Sequence, residues 1–187
     1  MTLANPENEI GNIVTRTISI EKYMDKILSI HFCESENKRD EFSSMILFNE
    51  RITFDFKKNI LSILLKKHYN NILINNPNLL KLLSDVPEHR NRFAHLETVG
   101  YSHSNQITSI IESKTPVYNG LNQDKMLDMA TPYYIIFKSY KNGNPKYIGY
   151  SLNDLIELGN QSMELLKGFK ELFLLVSKSD LPTEQGN

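Results

Sequence analysis

At 187 residues, 40% hydrophobic and 23% charged, the chain has the size and composition of one globular domain with a real core. A net charge of −1 excludes a global basic field that would draw it onto nucleic acid, so any RNA contact has to be local. The single cysteine, Cys33, excludes an internal disulfide and a cysteine-rich zinc site, and reads as a buried, inert thiol.

Met1 to Asn8 has neither the basic nor the apolar stretch of a signal peptide. No apolar run approaches the roughly 18 residues needed to span a bilayer. A cytoplasmic protein without membrane association is the expectation. Asn5-Pro6 then reads as a cap followed by proline. Behind it Ile10, Ile13, Val14, Met24, Ile27, Leu28 and His31 recur three and four apart, which predicts a helix over 7–32.

Residues 34–40 read as a charged loop, and Phe42 to Phe48 as one or two helical turns. A helix over 54–73 follows. Phe56, Ile60, Ile63, Leu64 and Tyr69 form its apolar face, and Lys57, Lys58, Lys66 and Lys67 a solvated one. Asn76-Pro77 starts a short helix through Leu79, Leu80, Leu82 and Leu83. Asp85 to Glu88 has capping-box spacing around Pro87, which predicts a separate helix over 86–98.

Ile107, Ile110 and Ile111 fit a strand or a short helix. Tyr133 to Phe137 and Lys146 to Tyr150, with Asn142-Gly143 between them, predict a β-hairpin. Ser151 and Asp154 cap a last helix to about 177, with Leu152, Leu155, Ile156, Met163, Leu166, Phe169, Phe173 and Val176 as its apolar stripe. Residues 179–187 read as a disordered tail. The expected fold is all-α: a four- to five-helix bundle with one small inserted β-hairpin. A single domain covers 1–187, with its core at 7–177.

No GxxxxGK[ST], GxGxxG or GxSxG pattern occurs, and the histidines have no metal-ligand spacing. No metal or cofactor is therefore expected. His31 reads as a hydrogen-bonded core residue, and His89 and His103 as surface residues.

Chemistry concentrates in Arg90-Asn91-Arg92-Phe93-Ala94-His95, which places two guanidiniums, an amide and an imidazole in six residues. Arginine presents a planar fork suited to phosphate, and histidine exchanges protons near neutral pH. At a helix start the amide dipoles would favour an anion there. Asn91 and His95 share a helix face, whereas Arg90 and His95 diverge by about 140°. Either the long arginine wraps round, or a second subunit completes the groove. A solvated surface cluster with a satisfied histidine is the bland reading of the same residues.

The hexad resembles the R-x4-H signature of the HEPN superfamily in its form Arg-Asn-x-x-Ala-His, and the helical layout over 7–177 is similar to that family's bundle. The resemblance implies a metal-independent endoribonuclease of bacterial toxin–antitoxin, abortive-infection or antiviral defence systems, acting on RNA as a homodimer with two motifs at one cleft. It implies His95 as the acid–base residue, Arg90 as the phosphate grip and Asn91 as the residue orienting either. A substrate contact by Arg92 is an inference beyond the family pattern. An antitoxin or regulatory partner is implied too, but a toxin branch carries tyrosine two residues after the histidine. Glu97 stands there in this chain, and Tyr101 is out of register. The alternative is a non-catalytic module binding RNA, a nucleotide or a partner protein.

Overall fold

The computed structural model describes residues 5–101, 104–122 and 132–179. In chain order its elements are α1 (Pro6–Phe32), α2 (Glu36–Phe42), a π-turn (Ser43–Leu47), α3 (Phe54–His68), α4 (Asn70–Asn75), α5 (Leu79–His95), β1 (Glu97–Tyr101), α6 (Asn105–Glu112), β2 (Val117–Asn119), β3 (Ile135–Lys141), β4 (Asn144–Tyr150) and α7 (Leu152–Ser179). The chain is mostly helical, but all-α with a hairpin is too narrow: the hairpin is the middle of a four-stranded mixed sheet, ordered β1-β3-β4-β2.

The long helices start where their caps are. Asn5 Oδ1 accepts from the Glu7 amide at 3.0 Å ahead of α1. Ser151 Oγ accepts from the Asp154 amide at 3.1 Å, and Asp154 Oδ2 accepts from the Ser151 amide at 2.7 Å. That reciprocal pair is a capping box and fixes the entry to α7. His103 and the tail beyond α7 lie outside the described residues.

Contacts divide the chain into two compact units, Arg16–Asp85 with Ser162–Asn187, and Met1–Thr15 with Val86–Gln161. All regular elements among the first unit's described residues are helical. Its buried side chains include Ile20, Met24, Ile27 and Leu28 of α1, Leu61, Leu64 and Leu65 of α3, Leu79, Leu82 and Leu83 of α5, and Leu165, Phe169 and Leu172 of α7. Fully burying each such side chain contributes about 1.5–3 kcal/mol.

Four expectations fail in this unit. The charged loop is helical: α2 covers Glu36–Phe42, and Arg39 ties it back by donating to the carbonyls of Cys33 (2.8 Å) and Glu34 (3.1 Å). The helix expected over 54–73 breaks at Tyr69, where ψ is 36°, into α3 and α4. The α3 face is also rotated. Lys57, Leu61, Leu64 and Leu65 are buried, while Phe56 and Ile63 are half or more exposed. Lys57 can turn inward because Asp25, itself buried, takes its ammonium at 2.8 Å. A buried carboxylate overrules a hydrophobic count. Cys33 is partly exposed rather than buried, and His31 is half-buried with Nδ1 3.4 Å from the Tyr69 hydroxyl.

The second unit is built on the sheet. Asn142 (φ 53°) and Gly143 (φ 79°) occupy the left-handed region between β3 and β4, which is the geometry a two-residue hairpin with matching strand twist requires. β1 pairs antiparallel with β3, and β2 runs parallel to β4. The isoleucines whose structure the sequence left open belong to a helix: Ile107, Ile110 and Ile111 of α6 pack with Val117, Tyr133, Ile136 and Tyr147 against one face of the sheet. On the other face Phe137 and Tyr150 meet Phe93 of α5, with ring centroids 5.7 and 5.0 Å away.

Helix α5 corrects the most consequential expectation. It starts at Leu79 and runs through Pro87 to His95, so the hexad occupies its last turns rather than its first. Pro87 leaves one carbonyl of the preceding turn without its helical donor. Leu82, Leu83, Val86 and His89 are nevertheless all buried along this helix, and that burial outweighs the local stop signal.

Candidate functional site

The chain leaves α5 at His95 and enters β1 at Glu97, so the hexad sits where the helix meets the sheet. The six residues divide into inward and outward sets. Arg92, the expected substrate contact, points inward and is 7% exposed. Its Nη1 donates to the Gly120 carbonyl at 2.9 Å and to the Tyr150 hydroxyl at 3.1 Å, and lies 3.2 Å from His89 Nδ1. Its Nη2 pairs with the Glu88 carboxylate one turn earlier. A guanidinium engaged in this way braces helix, hairpin and the β2 end against one another, and offers little to a ligand.

His89, expected on the surface, is 6% exposed and belongs to the same network. Its Nδ1 lies 2.8 Å from the Tyr150 hydroxyl. An arginine can only donate, so Nδ1 is the acceptor: Arg92 donates to Tyr150, and Tyr150 donates to His89. Burial, and then the Arg92 charge, push His89 down to about 4. Burial pushes the Tyr150 hydroxyl up to about 12, against the pull of Arg92. Both groups stay neutral across the physiological range and hold their proton order. Gly120 is part of the design, since a β-carbon there would run into the Tyr150 ring.

Asn91 and His95 point outward, and both are exposed. They line one wall of an open cleft of about 610 Å³, whose other wall is the β3–β4 hairpin with Ser139, Lys141 and Lys146. Arg90 does not line this cleft. It is half-buried, its Nε is enclosed without a hydrogen-bond partner, and its Nη1 donates to Asn91 Oδ1 at 2.9 Å. The divergence of Arg90 from His95 set by helix geometry is therefore observed, and the arginine reaches the cleft only through Asn91. With its Oδ1 occupied, Asn91 presents Nδ2–H donors to the cleft.

Because the hexad closes α5 rather than opening it, the nearby backbone partial charge is negative. Attraction for an anion must come from side chains. Lys141 and Lys146 supply it, and the carboxylate on this wall, Glu88, is paired with Arg92. The sequence reading missed Lys141, Lys146, Tyr150, His89 and Gly120. The two lysines were within reach of it. A two-residue turn at Asn142-Gly143 forces Lys141 opposite Asn144 and Ser139 opposite Lys146, which puts both lysines on one face. Gly120 and Tyr150 join the hexad by long-range packing that leaves no local pattern.

Among the described residues no cluster of three His, Cys, Asp or Glu is placed to hold a metal ion, and no helix is long and apolar enough to cross a membrane. No protein-family model, curated protein or solved structure matches the chain at a significant level.

Proposed function

We propose that the protein is a metal-independent endoribonuclease in which His95 transfers the proton and two copies of the chain complete the site. The observation that carries this reading is the setting of His95: an exposed imidazole at the wall of an open cleft, facing two lysines and flanked by an amide donor. Attack of a ribose 2′-hydroxyl on the adjacent phosphorus forms one P–O bond and breaks another. One group must accept the 2′ proton and another must donate a proton to the departing 5′ oxygen. Among the described residues His95 is the one imidazole lining this cleft, and in this scheme a second copy related by a twofold axis supplies the other. The products are a 2′,3′-cyclic phosphate and a 5′-hydroxyl end.

Within each chain Arg90 positions Asn91, whose amide meets a phosphoryl oxygen, while Lys141 and Lys146 offset the charge that grows on the phosphorane. Arg92 has no substrate role in this scheme. The likeness of the hexad to the HEPN signature supports the same chemistry. The bacterial defence or toxin–antitoxin setting, and an antitoxin or regulatory partner, rest on that likeness alone. The experiment is RNA cleavage in EDTA with end-group analysis. Wild type should leave cyclic-phosphate ends, and His95→Ala should lose about 10²–10⁴-fold in rate. Undiminished cutting by both His95→Ala and Arg90→Ala would overturn the assignment. The inward commitment of Arg92 favours one rival, a module that binds RNA, a nucleotide or a partner without cutting it. Binding of intact RNA with no product in any buffer would establish that rival.

A further inference from the structure

The β3–β4 hairpin wall of the cleft takes no part in the proton transfers themselves, and its register gives its lysines a reach beyond the scissile phosphate. Strand neighbours alternate faces, so Phe137, Ser139 and Lys141 of β3 share one face with Asn144, Lys146 and Ile148 of β4. The inner end of that face, Phe137 and Ile148, is buried. Its outer end carries Lys141 and Lys146 on the cleft. The two lysines are diagonal cross-strand neighbours, whose Cα atoms lie about 7–8 Å apart, close to the repeat of an extended sugar–phosphate chain. Lys146 Nζ stands 4.7 Å over the Tyr118 ring of β2, which holds that ammonium up from the sheet instead of leaving it to sweep solvent. The opposite face of the hairpin tip holds a separate cation–ring pair, Lys138 over Tyr140 at 5.3 Å.

We propose that this lysine pair is a rail for the phosphates of a single RNA strand, guiding successive nucleotides past His95. The inference rests on the ribonuclease reading for its choice of RNA, and its test is arranged to fail separately. Single-stranded substrate follows from the geometry and the chemistry together. One narrow hairpin face opposite a helix end presents cations to one backbone only. In-line attack by a 2′-hydroxyl also needs a backbone free to rotate, which an A-form duplex restrains. Contacts of this kind read charge and spacing, so the rail carries little base preference.

Binding is measured on full-length protein carrying His95→Ala, so that RNA survives the assay, by fluorescence anisotropy with a short labelled single strand and with a duplex of the same sequence. Adding Lys141→Gln and Lys146→Gln together should weaken single-strand binding tenfold or more. The slope of log affinity against log salt should flatten by about 1.4, as loss of two phosphate contacts on a single strand requires. The same change at the exposed α3 residues Lys66 and Lys67 should leave both quantities unaltered. An unchanged slope in the hairpin double variant overturns the rail, as does equal loss from the α3 pair or a preference for duplex. A wild-type protein that cuts nothing, but whose hairpin lysines still govern the slope, would sink the nuclease reading and leave the rail standing.

Discussion

At the scale of single residues, the hexad separates a buried side chain that braces the fold from an exposed one open to solvent. Arg92 is buried, with donors on Gly120, Tyr150 and Glu88, whereas His95 is exposed. Arg92→Met should therefore cost about 2–4 kcal/mol, since it strips a charged donor from several buried acceptors at once. His95→Ala should stay within about 0.5 kcal/mol of wild type while abolishing cleavage. Urea midpoints and cleavage rates on the two variants check both halves. A large stability loss in His95→Ala would mean that its imidazole is structural. His89 adds a pH dependence with a definite sign. Its folded value is about 4, against 6.5 for the free imidazole. Between those values the unfolded chain takes up a proton that the folded chain refuses, so stability falls as pH drops through this window, by at most about 3 kcal/mol. His89→Asn, whose amide oxygen replaces Nδ1 as the acceptor, should flatten that fall. Urea midpoints at pH 7 and pH 4.5 provide the comparison, and equal slopes for the two proteins would refute it.

Elements differ in how far local sequence determined them. The caps of α1 and α7 and the Asn142-Gly143 turn are local events, satisfied within four residues, and were legible. The start of α5 was not. Asp85, Pro87 and Glu88 spell a helix beginning, but buried Leu83 and Val86 carry the helix through it, and no window around Pro87 contains that packing. The α3 face was misread for a related reason, because the ion pair that turns Lys57 inward comes from Asp25 on another helix. The outer strands β1 and β2 are short, at 5 and 3 residues, and exist by pairing with a hairpin that was already visible. Of the candidate cleft, Asn91 and His95 were singled out from the sequence, but the residues that hold them in place and the opposite wall were not. At this scale the turn is the testable part. A β-carbon at Gly143 meets nothing within 4 Å, so Gly143→Val is penalised by its φ of 79° alone. It should lower stability by about 1–2 kcal/mol, whereas Gly143→Asn, at home in that region, should lose only a fraction of this. Equal losses would show that the side chain, not the dihedral, matters. By moving Lys141 and Lys146, the valine variant should also weaken RNA binding more than its stability loss explains.

For the whole molecule, charge and assembly are the same question. The chain carries 21 basic and 22 acidic residues, so long-range steering toward a polyanion is weak, and the proposed RNA binding has to rest on the few cations that line the cleft. Each chain's cleft is lined by a single copy of His95. If the proposed two-chain site is right, the two proton-transfer groups come from two chains, which makes a strong prediction for mixtures. Wild type combined with His95→Ala and allowed to exchange subunits should lose activity as the square of the wild-type fraction. An equimolar mixture would keep about a quarter of the rate if every site needs both imidazoles, and about half if each chain works alone. Dilution gives an independent reading, because rate per chain should fall once the concentration drops below the dimer dissociation constant. Linear loss on mixing, together with a rate per chain that does not change on dilution, would assign both proton transfers to one subunit. The second acid–base group would then have to be found in the same cleft, where the Lys141 and Lys146 ammoniums and the Tyr140 hydroxyl are candidates among the described residues.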